Sequence, residues 1–169
     1  RAVALAREAV ADLDEVDPRQ LTALNVLTNG LTASWQYLGG EEHLREALGY
    51  LPLFIAHIRV AGPWVATFME NAALLAFNAA RTFRDEDSDE LLDLSIDLLK
   101  RSIAAVEPGC HAWATRQGAL GGVLAERYHR TRDAADLEAA LVVARHGVEG
   151  AQAVPHEWAI HAMTLGNLL

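Results

Sequence analysis

One hydrophobic face recurs along this chain at a nearly constant interval, and that recurrence constrains the fold more than any other feature. Leu137, Ala140, Leu141, Ala144, Val148 and Ala151 fall at i, i+3, i+4, i+7, i+11 and i+14, which is one face of an α-helix. Forty-five positions earlier stand Leu92, Ser95, Ile96, Leu99, Ile103 and Val106. Forty-eight before those are Leu44, Ala47, Leu48, Leu51, Ile55 and Ile58, and 45 earlier again are Ala2, Val3, Ala6, Val10 and Leu13. Charges such as Glu138, Arg145 and Glu149, or Asp93, Asp97 and Lys100, take the opposite face.

The same offsets run through the segment before each of these helices. Leu27, Leu75, Leu120 and Leu165 align, and so do the aromatics Trp35, Phe83 and Tyr128. Gly40, Ser88 and Asp133 share the junction and are favoured N-caps. Trp113 and Trp158 precede their leucines by seven, and Trp64 precedes Leu75 by eleven, one turn more on the same stripe. Pro18, Pro63, Pro108 and Pro155 fall between units, where helices start or stop. The pattern predicts helical hairpins, with first helices over 19–38, 64–84, 110–131 and from 156 onward. Second helices are expected over 1–15, 41–59, 89–106 and 134–151. The unit bounds are 1–18 (partial), 19–62, 63–107, 108–153 and 154–169 (partial), in one all-α domain over 1–169. Such hairpins bury too little core alone and must stack. A lone second helix at the start and a lone first helix at the close read as an excerpt of a longer array, or as ends that pack or self-associate.

Composition narrows the function classes. Hydrophobic residues are 51% and charged residues 22%, a globular balance. The formal charge of −9 argues against nucleic-acid binding, which needs a basic surface to neutralise phosphates. The densest basic patch, Arg127, His129, Arg130 and Arg132, falls at a predicted helix C-terminus, where the dipole favours cations. Apolar runs such as Leu51 to Ala56 are too short to cross a bilayer. The single cysteine, Cys110, allows no internal disulfide, which fits a cytoplasmic setting.

Leu165-Gly166-Asn167-Leu168-Leu169 and Leu120-Gly121-Gly122-Val123-Leu124 resemble the Leu-Gly signature in the first helix of tetratricopeptide repeats. Ala47 and Leu51, then Ser95, Leu99 and Ser102, then Ala140, Ala144 and Gly147, are similar to the small–large–small series of that family's second helix. The repeat here is longer than the family's usual period, and Trp113 and Trp158 lie one turn earlier than its tryptophan. Arg127 to Asp133 with Asp136-Leu137 is similar to a motif of long bacterial arrays beside caspase-like (CHAT) peptidase or nucleotide-binding modules. The resemblance implies a right-handed α-solenoid whose first helices line a peptide-gripping concave groove. Counted from the aligned leucines, its groove positions are Asn25, Asn29, Thr32, Glu70, Phe77, Arg81, Glu126, Met163 and Asn167. Amides suit an extended backbone because each offers donors and an acceptor, and Arg81 suits a carboxylate. The plainer alternative makes Phe77 and Met163 core and the asparagines solvated.

Other chemistry finds little support. Asp85-Glu86-Asp87-Ser88-Asp89-Glu90 lacks the glycine and closing glutamate of a calcium loop and aligns with plain junctions. Cys110 and His111 are adjacent and so do not face each other on a helix, and His111 and His156 are repeat equivalents with a structural role at a helix start. The histidines show no ligand spacing, and Gly39-Gly40 and Gly121-Gly122 are not phosphate loops. Gly49 and Pro52 predict a kink or split, read as a packing feature or a hinge. The leading expectation is a protein–protein interaction scaffold that performs no chemistry and carries no cofactor or metal. It holds a peptide or a flanking domain, without nucleic acid or membrane. The alternative is a regulatory array controlling a CHAT-type peptidase or nucleotide-binding domain outside this chain; a metal-dependent enzyme using Asp85, Asp87 and Asp89 is third.

Overall fold

The computed structural model describes residues 1–13, 17–58, 64–85, 87–150 and 155–169. Every regular element among them is a helix, and helices pack on neighbours in chain order. Contacts divide the chain into two compact units, Arg1–Leu91 and Leu92–Leu169.

The first unit holds α1 (Ala2–Asp12), α2 (Pro18–Leu38), α3 (Glu41–Gly49), α4 (Leu51–Ile58) and α5 (Val65–Phe83). Asp17 starts α2 by accepting the Arg19 N–H at 2.8 Å, with Pro18 at the first helical position, where its missing donor costs nothing. Gly39 stops it at φ +74°, donating its N–H to the Trp35 carbonyl at 3.0 Å, a conformation open to glycine. The expected second helix over 41–59 is split at Tyr50. Pro52 has no N–H for the Leu48 carbonyl, and the Tyr50 N–H closes α3 on the Ala47 carbonyl at 3.1 Å. Both pieces bury their apolar residues, Leu44 and Ala47 on α3 and Leu51, Phe54 and Ile58 on α4. Phe54 meets Phe68 of α5 edge-on at 6.2 Å. α1 packs on α2, α2 packs on α3, α4 and α5, and α5 also packs on α3 and α4.

Alpha-helix α6 (Ser88–Ala104) spans the division between the units, and α7 (His111–Thr131), α8 (Ala134–Gly150) and α9 (Pro155–Leu168) lie in the second. There α7 packs on α8, and α9 packs on both. Two expectations at the junctions need correction. Asp133 does cap α8, accepting the Ala135 N–H at 3.0 Å. Ser88, in contrast, is already inside α6 and donates its hydroxyl to the Asp85 carbonyl, so it ties the loop behind it instead of capping the helix. Trp64 stands before α5 at ψ +1° and is 71% exposed; the added turn inferred from its spacing does not put it in the core. Trp113, within α7, is half-buried with its ring 5.3 Å from that of His146. Pro63, Glu86 and Ala151, and the side chains of His156, Trp158 and His161, lie outside the described residues.

The aligned leucines Leu27, Leu75 and Leu120 are 0%, 2% and 4% exposed. The small residues of the Leu-Gly signature and of the second helix make the α7–α8 seam. A Cβ on Gly147 would lie 3.1 Å from the Gly118 backbone, and one on Gly121 would lie 3.4 Å from the Ala144 Cβ.

A bidentate pair ties α1 to α3, with Arg7 Nε donating to Glu46 Oε1 at 2.5 Å and Nη2 to Oε2 at 2.6 Å. The Arg7 bond holds the Glu46 carboxyl below its ordinary value, against partial burial, which pushes it up. A carboxylate with a depressed folded pKa contributes stability above its unfolded value and loses it as pH falls through the folded one. Amide protection in α1, corrected for intrinsic exchange, is therefore expected to drop as pH falls from the ordinary carboxylate range through the lowered Glu46 value. The Glu46→Gln variant should lack that pH-dependent step; equal steps in both proteins would mean the pair does not hold α1.

Candidate binding groove

Within the first unit, α2 and α5 pack directly on each other. Asn25, Asn29 and Thr32 fall at i, i+4 and i+7 on α2 and share a face. Glu70, Phe77 and Arg81 do the same at i, i+7 and i+11 on α5. Asn29 and Arg81 are exposed, and Asn25, Thr32, Glu70 and Phe77 are half-buried. None of the six belongs to the buried core.

The structure joins the two faces through a residue the leucine count passed over. Asn71 Nδ2 donates to Asn25 Oδ1 at 2.7 Å, and Asn29 Nδ2 approaches the same oxygen at 3.5 Å. One carbonyl thus serves two amides, the number its lone pairs allow. The Asn25 NH₂ and the Asn29 and Asn71 carbonyls lie outside these bonds, which leaves the cluster with both donors and acceptors. Asn71 carried a signal: it stands four before Leu75, one turn along α5. On the same helix the Arg81 guanidinium lies 5.4 Å from the centre of the Phe77 ring, a cation–π distance. This contact covers Phe77, so the aromatic is neither fully core nor fully open.

In the second unit, Glu126 pairs with Arg130 at 3.2 Å one turn along α7, while Met163 and Asn167 are exposed on α9. The basic patch beside Glu126 is largely engaged. Arg127 grips Asp136 of α8 with Nε at 2.8 Å and with Nη2, and reaches Asp93 of α6 with Nη1. The bonds from Asp136 push the Arg127 guanidinium above its ordinary value, with burial opposing. Arg132 takes the left-handed position after α7, at φ +61°, with its guanidinium 5.6 Å from the Tyr128 ring. Arg127 therefore acts as a cross-link among three helices.

The remaining candidates are local. Asp89 and Glu90 occupy the first turn of α6, where acidic groups complement the dipole. Cys110 precedes α7, and its Sγ accepts the Trp113 N–H at 3.4 Å. Among the described residues no three His, Cys, Asp or Glu side chains converge on a metal position, and no helix is long and apolar enough to cross a membrane. No protein-family model matches the chain, and no curated protein matches it either.

Proposed function

We propose that the chain is an interaction module of tetratricopeptide type, a right-handed α-solenoid of antiparallel hairpins, that binds an extended peptide segment along its first helices and performs no chemistry. What supports this most is the amide cluster of Asn25, Asn29 and Asn71 across α2 and α5. A peptide main chain presents alternating N–H and C=O groups, and side-chain amides answer both without regard to the ligand's side chains. The aromatic face and cation of Phe77 and Arg81, further along α5, supply an apolar contact and a carboxylate partner. The ligand is a segment of another protein or of a flanking domain. The repeat period near 45 and the second–first order of packing in both units agree with stacked hairpins.

The test is a peptide array probed with the labelled chain and with a triple variant, Asn29→Ala, Phe77→Ala and Arg81→Ala. The expected result is a set of peptides bound by the parent and lost by the variant. Arg81→Ala alone should change stability by less than about 0.5 kcal/mol, as an exposed substitution. Peptides retained at equal affinity by the triple variant would refute the groove.

A further inference from the structure

We infer that Asn71 is the positioning residue of the amide cluster: it holds the Asn25 carbonyl inward between α2 and α5, so that, on the peptide reading above, Asn25 meets the ligand as a hydrogen-bond donor. An asparagine amide turned by half a revolution about its last torsion exchanges oxygen and nitrogen with no change of shape. That torsion is broad and two-fold, so a neighbouring group must decide which atom faces outward. For Asn25 the neighbour is Asn71, 46 residues away on α5, whose Nδ2 donates to Asn25 Oδ1 at 2.7 Å. Asn29 presents its Nδ2 to the same oxygen at 3.5 Å, a longer and weaker approach. Turning the Asn25 amide alone would set its NH₂ against two other NH₂ groups. Both ends of the short bond stand on fixed backbone. Asn25 follows Leu24 and precedes Leu27 and Thr28, all buried, and the Thr28 hydroxyl donates to the Leu24 carbonyl at 2.9 Å. Asn71 adjoins Ala72 and Ala73, both buried in the face of α5 turned to the core.

The orientation decides what the cluster reads. In an extended chain the N–H and C=O of one residue point to the same side, as in a hydrogen-bonded β pair. The Asn25 NH₂ suits that C=O, and the carbonyl of the exposed Asn29 suits the N–H. One ligand residue is thereby met at both main-chain groups, whatever its side chain. Proline lacks the N–H and is expected to be excluded there. An aspartate in place of Asn71 only accepts, so Asn25 would turn its NH₂ inward to it and present a carbonyl to the ligand instead.

The test is hydrogen exchange of the side-chain amides, read by NMR on the isotope-labelled whole chain and on Asn71→Asp. In the parent the Asn71 NH₂ should exchange slowly and the Asn25 NH₂ fast; in Asn71→Asp the Asn25 NH₂ should become the slow one. The parent spectrum can overturn the assignment without any variant, because a slow Asn25 NH₂ beside a fast Asn71 NH₂ means the opposite orientation. An Asn25 NH₂ unmoved by Asn71→Asp would overturn it as well. The second readout is fluorescence anisotropy with the strongest-binding peptide of the array. Asn25→Ala and Asn71→Ala should each weaken binding about three- to tenfold, the worth of one neutral hydrogen bond. The double variant should lose no more than Asn25→Ala alone, because Asn71 acts through Asn25. Additive losses, or full binding by Asn71→Ala where Asn25→Ala has lost it, would overturn the role of Asn71. An array with no peptide bound would refute the peptide reading instead, and the exchange comparison then decides the Asn71 brace by itself.

Discussion

Replacing Gly147 with valine is expected to destabilise the fold by about 2–3 kcal/mol, through overpacking of a seam that has no slack. Gly147 faces Gly118 across α7 and α8, and a single added Cβ would already lie 3.1 Å from two backbone atoms of Gly118 and 3.4 Å from the Ala114 carbonyl oxygen. Those neighbours are backbone and cannot rotate away as the end of a long side chain can. Two further methyl groups can be placed only by driving the helices apart, which also loosens Gly121 against Ala144, and a Cβ at Gly150 would overlap that of Ala114. Alanine at the same position gains about 1 kcal/mol of helix propensity over glycine and loses a comparable amount to crowding, so its net effect should be small. Gly122, on the facing helix α7, provides the opposite sign. Nothing lies within 4 Å of its Cβ position, and Gly122→Ala should stabilise by about 1 kcal/mol. Urea unfolding of the three variants checks the set; a neutral Gly147→Val would mean the seam is wider than the structure places it.

The helices themselves were legible because their signal is periodic and repeated. The first helices expected over 19–38, 64–84 and 110–131 are observed over 18–38, 65–83 and 111–131, since caps and the apolar stripe agree at both ends. The split at Tyr50 was legible too, because Pro52 acts through its own backbone and needs no tertiary context. What periodicity could not supply was whether a stripe continues into packed helix. Trp64 sits in register with Leu75 yet lies outside α5, because a register is a condition on angle and says nothing about which neighbour is present. Ser88 shows the same limit on a smaller scale: a serine at a junction suits an N-cap or a loop tie, and the Asp85 carbonyl decides between them. Side-chain pairs across helices were the least accessible. Asn25 and Asn71 are 46 residues apart, and Arg127 reaches Asp93 over 34. Counting from a leucine fixes a residue's face, but partner choice depends on the axial offset between two helices, which one-dimensional spacing does not contain.

Leu120→Ala should cost about 2–5 kcal/mol, toward the upper part of that range. The loss has two components: the transfer free energy of the deleted side chain, and the cavity left where the surroundings fail to close. Leu120 is 4% exposed, so the transfer component is nearly complete. The cavity component is decided by how far α7 can move. Its neighbours on the Gly118 and Gly121 side already stand at van der Waals distance from α8, and Arg127 anchors its far end to Asp136 and Asp93. Collapse toward the void is therefore blocked along much of the helix. Leu165, the equivalent position on α9, is half-buried, and its alanine variant should cost roughly half as much, because less surface leaves water there. Leu120→Met, which nearly conserves volume, should cost less than about 1.5 kcal/mol. Unfolding midpoints in urea rank the three; a Leu120→Ala midpoint equal to that of Leu165→Ala would place the leucine outside the packed interior and remove the stripe on which the repeat reading rests.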